Sequence, residues 1–102
     1  MGNPMWSYKA CLQSFAYYLT CHNDMMLANQ LQEENSIEKL EDFIIDKKKT
    51  ISSKEFFYNA GMSCMYVLMN EVNNGGCDSL NAAIGGLTSF EHFIGIIDYE
   101  DE

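Results

Sequence analysis

The sequence contains no arginine, and its only cationic side chains are six lysines, against 15 aspartates and glutamates. The formal net charge is therefore −9 at pH 7. Arginine is the side chain best suited to bidentate binding of phosphate or carboxylate groups. A net negative field also repels nucleic acid. We therefore expect no direct binding of nucleic acid.

Long hydrophobic runs are also missing from the chain. The longest uninterrupted apolar runs are a few residues, whereas a helix that crosses a bilayer needs roughly 20. Residues 8–21 include Lys9, Gln13 and Thr20, which is unlike the apolar core of a secretory signal. Trp6 occupies the position at which the myristoylation pattern requires Ser or Thr. We expect a cytoplasmic protein with no membrane or lipid anchor.

Motifs for catalysis and for metal binding are absent as well. The two histidines, His22 and His92, lie in no recognisable arrangement with a nucleophile and a carboxylate. The chain has no phosphate-binding glycine loop, EF-hand loop or H-E-x-x-H motif. Cys21 precedes His22, but the C-x-x-C and H-x-x-x-H spacings that place two ligands on one metal are missing. The sequence therefore predicts no enzyme, no metal and no cofactor.

The four cysteines are an even number in a short chain, which in a secreted protein would suggest two disulfides. Cys11 and Cys64, however, lie inside apolar helical patterns. We expect reduced thiols that pack as small hydrophobic residues, with disulfides as the alternative.

The composition indicates one globular domain over residues 1–102, with a short acidic C-terminal tail at 98–102. Apolar residues recur at helical spacing along most of the chain, which predicts an all-α fold of five to six helices. Residues 53–72 are apolar on most sides, so we expect this segment to form the central hydrophobic helix. Gly61 within it is expected to mark a close helix crossing.

Several residues predict helix boundaries. Pro4 suits a first helical turn, with Asn3 as its cap, and Asp24 and Ser36 are candidate N-caps of the next two helices. Residues 52–55 form an S-x-x-E capping box before the long apolar helix. Residues 73–76, Asn-Asn-Gly-Gly, predict the turn that ends it.

The last quarter of the chain is less regular. The glycine pair at 85–86 predicts the end of a short helix, and a capping pattern at 88–91 predicts the start of another. The alternative is a terminal strand over 92–99, which Gly95 and the β-branched pair Ile96 and Ile97 favour.

The acidic residues form two clusters. Residues 33–46 contain six carboxylates, and residues 98–102 contain four around a tyrosine. If the third helix is continuous from Glu34, its acids recur every four residues on the face opposite the apolar stripe. A solvated surface is the ordinary explanation of such a face. The alternative is a partner-binding surface, for which the candidates are Glu34, Glu38, Glu41, Asp42, Asp46, Asp98, Tyr99, Glu100, Asp101 and Glu102.

With these residues the chain resembles, as a class, the small acidic helical immunity proteins that protect bacteria from nuclease toxins, including those of contact-dependent inhibition systems. The resemblance covers size, charge and helicity along the whole chain and includes no signature motif. It implies a cytoplasmic toxin inhibitor whose carboxylates stand in for phosphates and cover a basic active-site cleft, with tyrosine as an anchor. Phage anti-CRISPR proteins that mimic DNA fit nearly the same description.

A second hypothesis is an acidic secretion or assembly chaperone. Methionine is flexible and polarizable, and suits adaptable binding surfaces. The chain has seven methionines, of which Met25, Met26, Met62, Met65 and Met69 could form such a surface. The alternative is that these methionines belong to the core.

Overall fold

The computed structural model describes residues 4–20, 24–74 and 77–100, with the backbone alone at positions 4, 72, 74, 77–80 and 98–100. These residues form five α-helices and no strand. Their bounds are Pro4–Thr20 (α1), Met25–Gln32 (α2), Ile37–Lys48 (α3), Ser53–Asn74 (α4) and Cys77–Glu100 (α5). The radius of gyration, 13.1 Å, is that of a compact domain of this length. The prediction of an all-α fold is confirmed.

Side-chain caps begin three of the helices at the predicted residues. The Asp24 side chain accepts a hydrogen bond from the Leu27 N–H at 3.0 Å, and Ser36 Oγ accepts one from the Lys39 N–H at 3.3 Å. Ser52 Oγ accepts one from the Glu55 N–H at 3.1 Å. These caps satisfy backbone donors that have no partner within the helix. Helix α1 begins at Pro4 as predicted, and its predicted cap at position 3 lies outside the described residues.

Helix α1 lies at the centre of the bundle and packs against each of the other four helices. Phe15 is fully buried there. Its ring lies 4.9 Å from that of Phe56 in α4 and 5.5 Å from that of Phe90 in α5, centre to centre, both edge to face. The central position predicted for residues 53–72 is not confirmed, because α4 leaves apolar side chains such as Met65 exposed. The apolar composition of α4 therefore does not show that it is the central helix of the bundle.

Helix α5 continues through the glycine pair that was predicted to end a helix, so that prediction is wrong. The two predicted C-terminal segments are one helix, and the alternative strand over 92–99 does not form. A β-carbon on Gly86 would lie only 2.7 Å from the backbone nitrogen of Tyr8. Gly86 therefore allows α5 to cross α1 closely. The crossing predicted at Gly61 is absent, since a β-carbon there would meet nothing within 4 Å.

None of the helical segments that the structure describes combines the length and apolarity needed to span a membrane.

Candidate partner-binding surface and adjoining pocket

The outward side of α3 carries a row of three exposed carboxylates, which we call the acidic face: Glu38, Asp42 and Asp46. They recur every four residues, so neighbouring members lie about 6 Å apart along the helix axis. Leu40 and Ile44 are fully buried on the opposite side and fix the orientation of the helix. The predicted separation of an acidic and an apolar face on this helix is thus present.

Glu34 does not extend this row. Helix α3 begins only at Ile37, after the Ser36 cap, so the predicted continuous helix from Glu34 does not form. The Glu34 carboxylate instead accepts a hydrogen bond from the Ser36 N–H at 3.1 Å. Its backbone carbonyl accepts one from Gln13 Nε2 at 2.6 Å. Glu34 therefore orders the connection between α2 and α3 against α1.

Glu41 is half-buried and contacts α1, unlike the acidic face. Its carboxylate accepts a hydrogen bond from the Tyr8 hydroxyl at 2.5 Å. The pKa of the Tyr8 phenol is raised. Burial is the largest cause, and the hydrogen bond to Glu41 is the next. The phenol is therefore protonated at neutral pH, and its O–H group is the donor in the hydrogen bond to the Glu41 carboxylate. The Tyr8 ring also meets Phe93 of α5 edge to face, at 6.5 Å between centres.

This Tyr8–Glu41 pair lies in a pocket of about 500 Å³ where α1, α3 and α5 meet, which we call the α1–α3–α5 pocket. Apolar side chains form most of its walls, and hydroxyl, imidazole and carboxylate groups supply the polar atoms. The lining residues are Met5, Tyr8, Glu41, Thr88, Ser89, His92, Phe93 and Ile96. Apolar clefts of this size with a few convergent polar groups are typical ligand sites.

The two helices that carry the predicted acidic clusters, α3 and α5, both line this pocket. Glu41 lies in the first cluster, and the α5 backbone continues for one turn beyond Ile96, to Glu100. The second cluster thus begins in the last turn of the helix that lines the pocket. The side chains of Asp98, Tyr99 and Glu100 lie outside the described part of the structure, as do residues 101–102 entirely.

Two lysines are held by aromatic rings of the chain itself. Lys9 Nζ lies 4.3 Å from the centre of the Trp6 ring and donates a hydrogen bond to Asn35 Oδ1 at 3.3 Å. Lys48 is buried, with its Nζ 5.6 Å from the centre of the Phe56 ring. Cation–π attraction and burial therefore direct both cations toward α1 and α4.

A second exposed surface lies on α4, where four large side chains form what we call the α4 apolar row: Tyr58, Met62, Met65 and Met69. Their spacing of four, three and four places them on one side of the helix. Tyr58, Met65 and Met69 are 67%, 59% and 60% exposed. Residues 56–70 include no charged side chain. Met25 and Met26 are also exposed, so the alternative that these five methionines belong to the core is wrong.

Cys11 and Cys64 are free thiols on α1 and α4, as expected. Cys11 is fully buried, and its interaction with the neighbouring Cys64 thiol, together with burial, raises its pKa. The same interaction lowers the pKa of Cys64. The other two cysteine side chains lie outside the described part of the structure.

One of the two histidines lies in the described part of the structure. His92 is exposed at the rim of the α1–α3–α5 pocket, and His22 is not described. Among the side chains that the structure describes, no three His, Cys, Asp or Glu residues lie together in a way that could hold a metal ion.

Comparison of the chain with known protein families, curated protein sequences and solved structures gave no match.

Proposed function

We propose that this protein is a non-enzymatic acidic binding protein that captures and neutralises a basic, nucleic-acid-acting protein in the cytoplasm. The bacterial immunity proteins that inhibit toxin nucleases are the class we favour. A phage-encoded DNA mimic that inhibits a CRISPR nuclease would use the same surface, and only the identity of the partner separates the two.

The observation that carries this proposal is the exposure of all three carboxylates of the acidic face. Like charges four residues apart destabilise a helix by about 0.2–0.5 kcal/mol per pair. The row contains two such pairs, Glu38 with Asp42 and Asp42 with Asp46. A cationic cleft placed over the row would remove this repulsion, and complementary charge would accelerate association.

The surroundings of the acidic face also support a binding role. Ile45 is exposed among the three carboxylates and offers an apolar contact within the charged surface. Interfaces commonly combine an apolar centre with a polar rim. The α1–α3–α5 pocket, which contains Glu41 of the same helix, adds a concave feature next to the row.

The test uses purified products of the neighbouring reading frames as candidate partners. We expect one of them, with a basic nucleic-acid-acting domain, to bind tightly and to lose its activity at a 1:1 ratio with this protein. The triple substitution E38K/D42K/D46K should abolish both binding and inhibition while leaving the helical circular dichroism spectrum unchanged.

A matched control separates the acidic face from net charge. The triple variant E33K/E71K/E91K changes the charge of the protein by the same amount, through three carboxylates outside α3. We expect it to retain capture at about 150 mM salt, with at most a slower association rate. Equal loss in both triple variants, or retention in both, contradicts the proposal.

The α4 apolar row favours a second candidate function, that of an assembly or secretion chaperone. Exposed, contiguous apolar surface marks sites of protein interaction, and methionine adapts to varied partners. A chaperone of this kind would lose its client when Met65 and Met69 are replaced by glutamine. Its binding would persist at about 1 M salt, where attraction between surface charges is screened.

A further inference from the structure

We propose that the α1–α3–α5 pocket binds the guanidinium group of an arginine side chain that the basic partner presents. This inference rests on the proposed function, since it assigns one anchoring contact within that interface. The pocket and the acidic face share helix α3, so one partner surface can reach both.

The first support is a carboxylate with unused acceptor capacity. An ionised carboxylate has about four lone-pair positions, of which the Tyr8 hydroxyl occupies one on Glu41. Glu41 is half-buried, so its attraction for a cation is screened by water less than that of the exposed acids on the same helix.

The second support is that the hydroxyl groups of the pocket all offer acceptors. Thr88 Oγ1 donates its proton to the Ile84 carbonyl at 2.9 Å, and Ser89 Oγ donates to the Gly85 carbonyl at 3.3 Å. The Tyr8 proton is donated to Glu41. Each oxygen therefore retains lone pairs but has no spare proton. A ligand that carries only donors fits such a set, and guanidinium has five N–H donors and no acceptor.

The third support is the shape and apolarity of the walls. Tyr8 and Phe93 provide aromatic surface, and Met5 and Ile96 provide exposed apolar surface at the rim. The planar guanidinium stacks on aromatic rings, and its methylene stem packs on apolar side chains. Lysine is a poorer match, because its ammonium is a compact and strongly hydrated charge.

The 102 residues of the chain contain no arginine, which bears on where the guanidinium group comes from. Neither this chain nor a second copy of it can supply a guanidinium group. We therefore assign the guanidinium group to a separate protein, and the net charge of −9 favours a basic one.

The experiment is an NMR titration of the ¹⁵N-labelled protein with Nα-acetyl-arginine N-methylamide. The matched ligand is the citrulline analogue, which has a similar shape but no charge. We expect amide shift changes at residues 41, 89 and 93, and at least tenfold weaker binding of the citrulline analogue. Equal binding of the two ligands, or shift changes confined to the acidic face at residues 38, 42 and 46, overturns the inference.

Two carboxylate variants give the second readout. Glu41→Gln removes the charge but retains an acceptor for Tyr8, and should weaken arginine binding about tenfold. Asp42→Asn removes one charge from the neighbouring outward position and should leave the affinity within about twofold. Ser89 is exposed and does not contact the Tyr8–Glu41 pair through a hydrogen bond, so Ser89→Ala tests the pocket without disturbing that pair. This substitution should weaken arginine binding about threefold. Equal effects of E41Q and D42N overturn the inference.

The outcomes separate this inference from the proposed function. If E38K/D42K/D46K abolishes capture of a basic partner but E41Q leaves that capture intact, the pocket assignment is wrong and the proposed function stands. If the arginine derivative binds as described but no basic partner is captured, the proposed function is wrong and only the preference of the pocket for a guanidinium group stands.

Discussion

Gly86 of α5 lies against Ser7 of α1 so closely that a β-carbon on Gly86 would be 2.8 Å from the Ser7 carbonyl carbon. Backbone atoms cannot move aside as the end of a flexible side chain can. The crossing of the central helix with α5 therefore depends on a residue without a side chain.

We predict that Gly86→Ala destabilises the protein by about 1–3 kcal/mol, the usual cost of overpacking a well-packed contact. Gly61 and Gly95 are matched controls, since both are exposed within helices and a β-carbon on either would meet nothing within 4 Å. Alanine at either position should raise the free energy of unfolding by up to about 1 kcal/mol. Urea unfolding monitored by circular dichroism gives the unfolding free energy of the three alanine variants. Equal effects at Gly86 and Gly61 would refute the close crossing of α1 and α5.

The raised pKa of Tyr8 predicts a loss of stability at alkaline pH. The folded state holds the phenolic proton more tightly than the unfolded chain, whose tyrosines titrate near 10.0. The resulting stabilisation is complete below pH 10 and is lost as the pH rises above it toward the folded pKa.

Tyr8→Phe removes this dependence. Near pH 8 the variant should be less stable than wild type by about 1 kcal/mol, because the hydrogen bond to Glu41 is lost. By about pH 11 the difference in unfolding free energy between wild type and Tyr8→Phe should shrink by about 1 kcal/mol. The unfolded wild-type chain then loses the Tyr8 proton while the folded state retains it, and the variant has no phenol at this position. Tyr58→Phe, at an exposed position, removes a hydroxyl of the same kind and is the matched control. A wild-type to Tyr8→Phe difference that is constant with pH would show that the phenol is not perturbed by folding.

We predict that the acidic face lowers the stability of the isolated protein. Asp42→Lys replaces two repulsive pairs, with Glu38 and with Asp46, by attractive ones, and should raise the free energy of unfolding by about 0.5 kcal/mol at low salt. The gain should decline by 1 M salt because the charges are exposed. Thermal unfolding at two salt concentrations measures it, and a decrease in stability would mean that Asp42 has a favourable contact within the fold.

The α4 apolar row should contribute little to folding. Met65→Gln and Met69→Gln are each expected to change the free energy of unfolding by less than about 0.5 kcal/mol, as exposed substitutions usually do. Val67 is buried on the same helix, and Val67→Ala should cost about 1–3 kcal/mol. A cost at Met65 or Met69 that approaches the cost at Val67 would mean that these methionines belong to the core.

The local features of the fold could be predicted from the sequence. The caps at Asp24, Ser36 and Ser52 depend on side chains that bond backbone groups three residues away, so the pattern is complete within one short segment. The acidic face could likewise be predicted from helical periodicity alone. The acidic spacing alone does not show where a helix begins, so it does not exclude Glu34, whereas the Ser36 cap marks the start of α3.

Features that depend on contacts between helices could not be predicted in this way. Tyr8 and Glu41 are separated by 33 positions, and nothing near either residue indicates that they meet. The apolar pattern assigned Tyr8 only to the core, and the pocket residues on α5 carried no motif. A glycine pair suits both a helix end and a close helix crossing, so the sequence around Gly86 does not distinguish the two.

A map of the bound partner on the surface of this protein distinguishes the acidic face from the α4 apolar row. Cross-saturation NMR on the complex identifies the amides that lie next to the partner. We predict contact along α3, at Glu38, Asp42 and Asp46, and along the wall of the α1–α3–α5 pocket. Contact confined to α4 at Tyr58, Met65 and Met69, with α3 unaffected, would contradict the proposal and favour the chaperone.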